Sequence, residues 1–366
     1  MKKTFWNTLE RPIVGLAPMD GVTDAPMRFI TAKYGRPDVI FTEFVSAEGI
    51  WHTSRTLELK NSRTQGAERL LRDLVFDEIE RPVVAQLFGG DPEAFFEVSK
   101  LIVKMGFDGV DINMGCPARK VAGRGEGAGL IKNPELAGEI IAAVKRGVKE
   151  ATKLRSYEGT NLGKNMEIPV SVKTRIGYDK ADPEWWKFLA TQDLAAVTVH
   201  GRTFKQLYQG IADWEAIGEA ATLIKQSGAV FLGSGDIGSR QQAVVSCQKY
   251  GTDGALIGRG AMGNPWAFEK TQELKNSKTQ KLAVALEHAR KFEEIFPNDT
   301  LPAGRQGFFI MRKHLSWYAR GFDGAADLRQ KLVLCNSADE VEKAVYTFEH
   351  EDKGADIFSG DTVGKV

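Results

Sequence analysis

Cys116 lies in the run DINMGCPARK (111–120), with Asn113 three residues before the thiol and Pro117 directly after it. The other two cysteines, Cys247 and Cys335, are far away in sequence and not in metal-ligand spacing, so no metal site is expected. A lone cysteine is either a small buried hydrophobe or a thiol whose proton takes part in chemistry. Lys173, in PVSVKTRIG (169–177), raises a parallel question. A charge inside a strand-like run is costly unless it has a task. Three tasks suit it: a Schiff-base amine, a fixed cation beside a cofactor that gains negative charge, or an ion pair with a barrel carboxylate. His200, closing AAVTVHG (195–201), is by itself as compatible with a structural role as with a functional one. Two glycine-rich stretches, GSGDIGS (233–239) and GRGAMGN (258–264), let backbone N–H groups approach an anion, and Arg259 adds a fixed positive charge. Tight turns alone would also account for the glycines.

These residues need a scaffold that gathers them. Eight short runs rich in Val and Ile recur at 12–18, 38–45, 82–89, 109–115, 169–177, 195–201, 229–235 and 254–260. Each is followed by a glycine-containing loop and a helical pattern. Continuous apolar strands buried on both faces are what a parallel sheet requires. The helices carry their own punctuation: DPEAFFEVSKLIVKMG offers Asp91 as N-cap, Pro92 at the first position and Gly106 past the end. Eight strand–helix units predict an α/β fold, a (β/α)8 TIM barrel, rather than an open doubly wound sheet. No GxGxxG turn follows the first strand. In such a barrel, function gathers at the C-terminal strand ends. Those ends carry Pro18 and Met19, Glu43, Gln86, Asn113 and Cys116, Lys173 and Arg175, His200 and Arg202, Asp236 and Arg259. Glycine loops after the seventh and eighth strands are a common phosphate site in barrels, which implies a phosphorylated cofactor or substrate.

After Trp266 the pattern turns wholly helical, with helices expected at 266–275, 281–296, 306–321 and 339–350. The expected organisation is a catalytic barrel over 1–265, a small helical domain over 266–350 and a loose tail over 351–366. Segments 58–65, 153–167 and 273–280 look like polar surface insertions. A net charge of +1 excludes a generic polyanion binder, so any nucleic-acid face must be a local patch. Three cysteines give no disulfide framework and point to a reducing compartment. The basic opening MKKTFWNTLERP meets Glu10 and Arg11 before any apolar core forms, and no run approaches a membrane span, so a cytoplasmic protein without a membrane partner is expected.

The motifs APMDGVTDAPMR (17–28), INMGCPARKV (112–121), VKTRIG (172–177), VHGRTFKQLYQGIADW (199–214), GSGDI and IGRGAMGNPW resemble those of the tRNA-dihydrouridine synthases. The similarity runs in order over about residues 12–270, and RKHLSWYARGF (312–322) is similar to that family's C-terminal helical domain. The resemblance implies an FMN-dependent reduction of uridine in the D-loop of tRNA to 5,6-dihydrouridine, with NADPH or NADH as reductant. It implies flavin contacts at Pro18, Met19, Asp20, Gln86, Lys173 and His200, and a phosphate site at Ser234, Gly235, Asp236, Gly258 and Arg259. Ser234 stands where the family often has Asn. By the same resemblance Cys116 is the catalytic acid, and Asn113, Arg175 and Arg202 face the uracil or its phosphates. Arg312 and Lys313, in a stretch that carries Arg305 and Arg320 and no acid, suit a phosphate-contacting face.

Three other readings are compatible with parts of the pattern. An FMN barrel acting on a free pyrimidine, similar to dihydroorotate dehydrogenases, would need neither the helical domain nor its basic stretch. A barrel lyase would use Lys173 as a Schiff base. A tRNA-binding protein without catalysis would have no use for Cys116 and Lys173.

Overall fold

Each of the eight apolar runs forms a strand, and in the computed structural model the strands close in chain order into a parallel barrel. The structure describes residues 4–60, 71–157, 167–270, 277–297 and 307–355. The strands are β1 (Ile13–Leu16), β2 (Ile40–Ser46), β3 (Val83–Phe88), β4 (Gly109–Met114), β5 (Val170–Arg175), β6 (Ala196–His200), β7 (Val230–Ser234) and β8 (Gly254–Ile257). Helices α1 (Ala25–Gly35), α2 (Ala47–Lys60), α3 (Pro92–Met105), α4 (Pro134–Tyr157), α5 (Pro183–Ala190), α6 (Trp214–Ile224) and α7 (Arg240–Tyr250) lie between them in sequence. The α3 signals act as read: Asp91 accepts from Glu93 N–H, and Gly106 ends the helix at φ 92°.

Alternation along the strands sorts side chains into an outer core and a stack of inner layers. Val110, Ile112 and Met114 of β4 join the apolar core shared with the helices. At the lower end of the barrel, Phe5 and Trp6 plug the opening and pack with Ile13, Phe41, Val84, Ala196 and Leu256. Above that floor the interior turns polar. Gln86, Asp111 and Ser171 stand opposite one another across β3, β4 and β5. One step higher Asn113 pairs with Lys173, and Arg175, His200 and Ser234 follow across β5, β6 and β7. The bottom face is built for stability. Asp38, Asp108 and Asp253 each accept the N–H of a residue in a neighbouring strand, Val14, Val83 and Phe231, at 2.7, 2.8 and 2.9 Å.

By contact the chain divides into two compact units, one of Met1–Ala261 with Ala267–Lys270, the other of Met262–Trp266 with the residues from Thr271 onward. The second unit contains α8 (Lys278–Ile295), α9 (Met311–Tyr318), α10 (Ala325–Leu332) and α11 (Ala338–Ala355). Ser277 and Gln280 form a capping box at the start of α8. Leu282, Phe292, Leu315, Leu328 and Val341 are buried, and His288 Nδ1 lies 3.1 Å from the Tyr318 hydroxyl.

Several helical expectations change. Of the helix expected over 266–275, the described residues hold a short 3-10 turn, Pro265–Phe268, and 271–275 lie outside them. Helix α10 was not expected. It is two turns long, polar, and preceded by Gly321 and Gly324, both at positive φ, so its three buried residues leave little periodicity to read. The helix α11 continues through Ala355, beyond the expected end at 350. Residues 61–70, 158–166, 271–276 and 356–366, which hold most of the three insertions and the tail, lie outside the described residues, as does Arg305. No helix among the described residues is long and apolar enough to cross a membrane.

Candidate active site

The loop after β4 is fixed by its own side chains. Asn113 Oδ1 accepts from Gly115 N–H at 3.0 Å and from Cys116 N–H at 2.8 Å, folding the chain back over the strand end. Arg175 Nε donates to the Gly115 carbonyl at 2.8 Å, and its Nη1 donates to the carbonyls of Thr203 and Leu207, each at 2.9 Å. That guanidinium therefore ties the cysteine loop to the loop after β6. Behind the thiol, Ala128 N–H donates to the Cys116 carbonyl, and Gly127 sits at φ 55° where an added Cβ would lie 3.0 Å from that oxygen. Cys116 is buried, and burial pushes its thiol above the ordinary value, against the opposing effects of a backbone hydrogen bond at Ala118 and the charges of Arg175 and Lys173. It is a protonated thiol at neutral pH.

Lys173 projects into the mouth beside it. Among the described residues, neither a hydrogen bond nor an ion pair reaches its ammonium. Of the three tasks read from sequence, the carboxylate-paired lysine is the one this geometry does not support. Burial, then the charge of Arg175, lowers its pKa to about 8, with Asp111 and Cys116 pulling the other way. A cation without an internal partner on a barrel rim fits a site for a group that carries or acquires negative charge. His200, one strand over, is held well below its usual value by burial and by the charges of Lys173, Arg175, Arg202 and Arg259. It is neutral at pH 7, and because Nε2 faces the Arg202 guanidinium, which can only donate, Nδ1 carries the proton and is a donor.

The loops after β7 and β8, read from the sequence as a phosphate site, carry Gly235, Asp236 and Gly258. Gly235 at φ 129° and Asp236 at φ 55° are successive residues in the left-handed half of conformational space, and at Gly235 the missing Cβ leaves the backbone open to close approach. A Cβ on Gly235 would stand 2.6 Å from Ala212 Cβ. Gly258 borders Met19, whose sulfur lies 3.4 Å from where a Cβ would be. Thr23 fixes Met19 by bonding both its N–H and its carbonyl. Pro18 and Met19 are half-buried, and Asp20 is exposed. The side chain of Arg259 is 57% exposed and free to swing onto an anion from its 2.8 Å bond to Asp236.

Asp236 and Arg202 have roles that the sequence did not suggest. Arg202 is 1% exposed. It donates to Asp236 at 2.7 Å and to the carbonyls of Gln209 and Gly210, and its Nη1 lies 3.3 Å from His200 Nε2. Its donors are engaged within the protein, which makes it a strut under the glycine loop. Burial alone would raise the Asp236 carboxyl, but the Arg202 hydrogen bond, the Ala212 N–H and two guanidinium charges outweigh it and hold the group below the carboxylate range. Glu43, also named at the rim, is buried at a register shift between Phe41 and Phe44. Burial and the charges of Asp24 and Asp73 push its carboxyl up.

Arg312 and Lys313 lie on α9 of the second unit and are not among these residues. Arg312 donates to the Cys335 carbonyl and to Asn336 Oδ1 and lies over the Phe309 ring, while Phe309 is 65% exposed. Residues Phe308 and Tyr318 face the unit's core.

Residues 15–352 match the model of the dihydrouridine synthase family. The chain is 37% identical over 353 residues to a probable tRNA-dihydrouridine synthase of Staphylococcus epidermidis, covering 95% of this chain and 97% of that one. It is 36% identical over 359 residues to probable tRNA-dihydrouridine synthase 2 of Bacillus subtilis, covering 96% and 98%. Among solved structures, morphinone reductase in complex with tetrahydroNAD is similar with a TM-score of 0.43 and 12% identity, over 71% of this chain and 85% of that one. With a family model matched over residues 15–352 and relatives matched over nearly their whole length, the chain belongs to the dihydrouridine synthase family.

Proposed function

We propose that this protein reduces uridine in the D-loop of tRNA to 5,6-dihydrouridine, using bound FMN and NADPH or NADH. The observation that carries this reading is Lys173, a barrel-mouth ammonium with no internal hydrogen bond or ion pair among the described residues, next to a thiol kept protonated by burial. The site fits FMN. The loop at Gly235, Asp236 and Gly258, with Arg259, suits its single terminal phosphate, and Ser234 borders that loop. Pro18, Met19, Asp20, Lys173 and His200 are the residues that would hold its ring system, with Gln86, fully buried, contributing through its bond to Asn113. When bound and reduced, FMN would be the source of the hydride for C6 of the uracil ring.

The protein's residues do the rest. Cys116 gives its proton to C5, and its burial keeps that proton available at neutral pH. Arg175 and Lys173 lie close enough to lower the thiol's pKa, so both favour the thiolate left behind. Asn113 Nδ2 uses one N–H on Gln86 and keeps the other for the edge of the base. Arg175 holds the cysteine loop while Arg202 and Asp236 brace the anion loop. A base inside folded tRNA must leave its stack to reach such a mouth. Exposed Tyr208 and Ile211, on the loop that Arg175 ties down, border that entrance. In the second unit, Arg312 and Lys313 supply phosphate contacts.

The reading is tested by mapping dihydrouridine in tRNA from cells with and without the gene. Loss of the modification at one or more D-loop positions, restored by the wild-type gene, is expected. Unchanged tRNA in the deleted strain would reject it.

A further inference from the structure

Below the reactive layer, Asp111 is fully buried in the barrel interior and bonded on both oxygens. Ser171 Oγ donates to Oδ1 at 2.6 Å, and Gln86 Nε2 donates to Oδ2 at 2.7 Å. Gln86 Oε1 in turn accepts from Asn113 Nδ2 at 2.9 Å, and Asn113 Oδ1 accepts from the N–H groups of Gly115 and Cys116. The four side chains link Ser171 to the cysteine loop in one chain of hydrogen bonds, in which every donor points toward Asp111. Each carboxamide can occupy its place in two orientations, and nothing in its shape distinguishes them. The carboxylate does: an ionised Asp111 only accepts, so it must meet the nitrogen of Gln86. That turns Gln86 oxygen toward Asn113, which turns Asn113 oxygen toward the loop. A reversed Gln86 would oppose oxygen to carboxylate at one end and nitrogen to nitrogen at the other.

We propose that Asp111 is a positioning residue, setting through Gln86 and Asn113 the amide orientation that holds the Cys116 loop in its reactive geometry. It touches neither substrate nor thiol, and its hold on the loop runs through the two carboxamides. The inference rests on the function proposed above for its consequence in catalysis, and on geometry alone for the relay.

The test compares Asp111→Leu, which cannot accept, with Asp111→Asn, which can offer its oxygen to Gln86 and turn its nitrogen to Ser171 Oγ. Amide hydrogen exchange over 112–122 is followed by mass spectrometry in the full-length, flavin-loaded protein. The Gly115 and Cys116 amides are expected to exchange at least ~5-fold faster in the Leu variant, the scale of one net hydrogen bond, with exchange near β7 and β8 unchanged. The Asn variant is expected to restore wild-type protection. Single-turnover uridine reduction should follow the same order. Unchanged exchange in the Leu variant, or an Asn variant as labile as Leu, would overturn the relay. If the Leu variant does not fold, Asp111→Ser, too short to reach Gln86, replaces it with the same outcomes. A wild-type protein that reduces no uridine would defeat the functional reading, yet the exchange comparison would still decide the relay.

Discussion

Cys116 and Lys173 are neighbours that must both stay protonated, one to have a proton to donate and the other to keep its charge. Burial acts on both, raising the thiol and lowering the ammonium to about 8. Lys173 is therefore the first of the two to change state as pH rises. It is charged below about 8 and neutral above, so the rate of uridine reduction should fall as pH rises through that value. Lys173→Arg, in protein that retains flavin, should remove this fall, because a guanidinium stays charged throughout. Single-turnover rates across that range check it, and a wild-type rate flat through the range would exclude a charged Lys173 from the rate-limiting step. Lys173→Met should slow uridine reduction much more than it weakens tRNA binding, with flavin content measured alongside; normal turnover in a loaded Met variant would remove Lys173 from the mechanism. Cys116, Lys173 and His200 were legible in the sequence because each interrupts or closes an apolar strand. Asp111 and Ser171, and the tie from Arg175 to Gly115, were not, because each pair is separated by 60 residues and meets only when β4 and β5 lie side by side.

At the scale of elements, the eight strands were readable because a parallel strand covered on both faces is a continuous apolar run. Helix α10 was not, being short and polar with few core contacts to mark a period. Barrel closure depends on one glycine that composition does not single out. Gly254 pairs with Ile13 where β8 meets β1, and a Cβ there would lie 2.3 Å from the Ile13 carbonyl oxygen. Gly254→Ala should therefore cost roughly 1–3 kcal/mol, the range of core overpacking, read as a lower midpoint in chemical denaturation. A variant as stable as wild type would mean that the seam yields easily. Gly235→Ala combines a Cβ 2.6 Å from Ala212 with φ 129°, and should lower flavin content while leaving the barrel folded. Full flavin occupancy in that variant would place the phosphate elsewhere.

For the whole molecule, a net charge of +1 means that tRNA affinity must come from a few placed cations. Lys313 is the cleaner probe on α9, since Arg312 also holds the Cys335 carbonyl and Asn336. Lys313→Gln should flatten the salt dependence of tRNA binding by roughly one unit of log–log slope, while NADPH oxidation by the flavin continues. An unchanged slope would assign the RNA face to other residues. The claim on which all of this depends is that Cys116 donates the proton to C5. Its most direct test is single-turnover oxidation of pre-reduced flavin by tRNA, without oxygen, in Cys116→Ser. Serine keeps the shape but is a far poorer acid, so this step should slow at least ~10²-fold, as expected for a lost general acid, while flavin content, tRNA binding and flavin reduction by NADPH stay near wild type. A Cys116→Ser protein that oxidises its flavin with tRNA as fast as wild type would contradict the assignment.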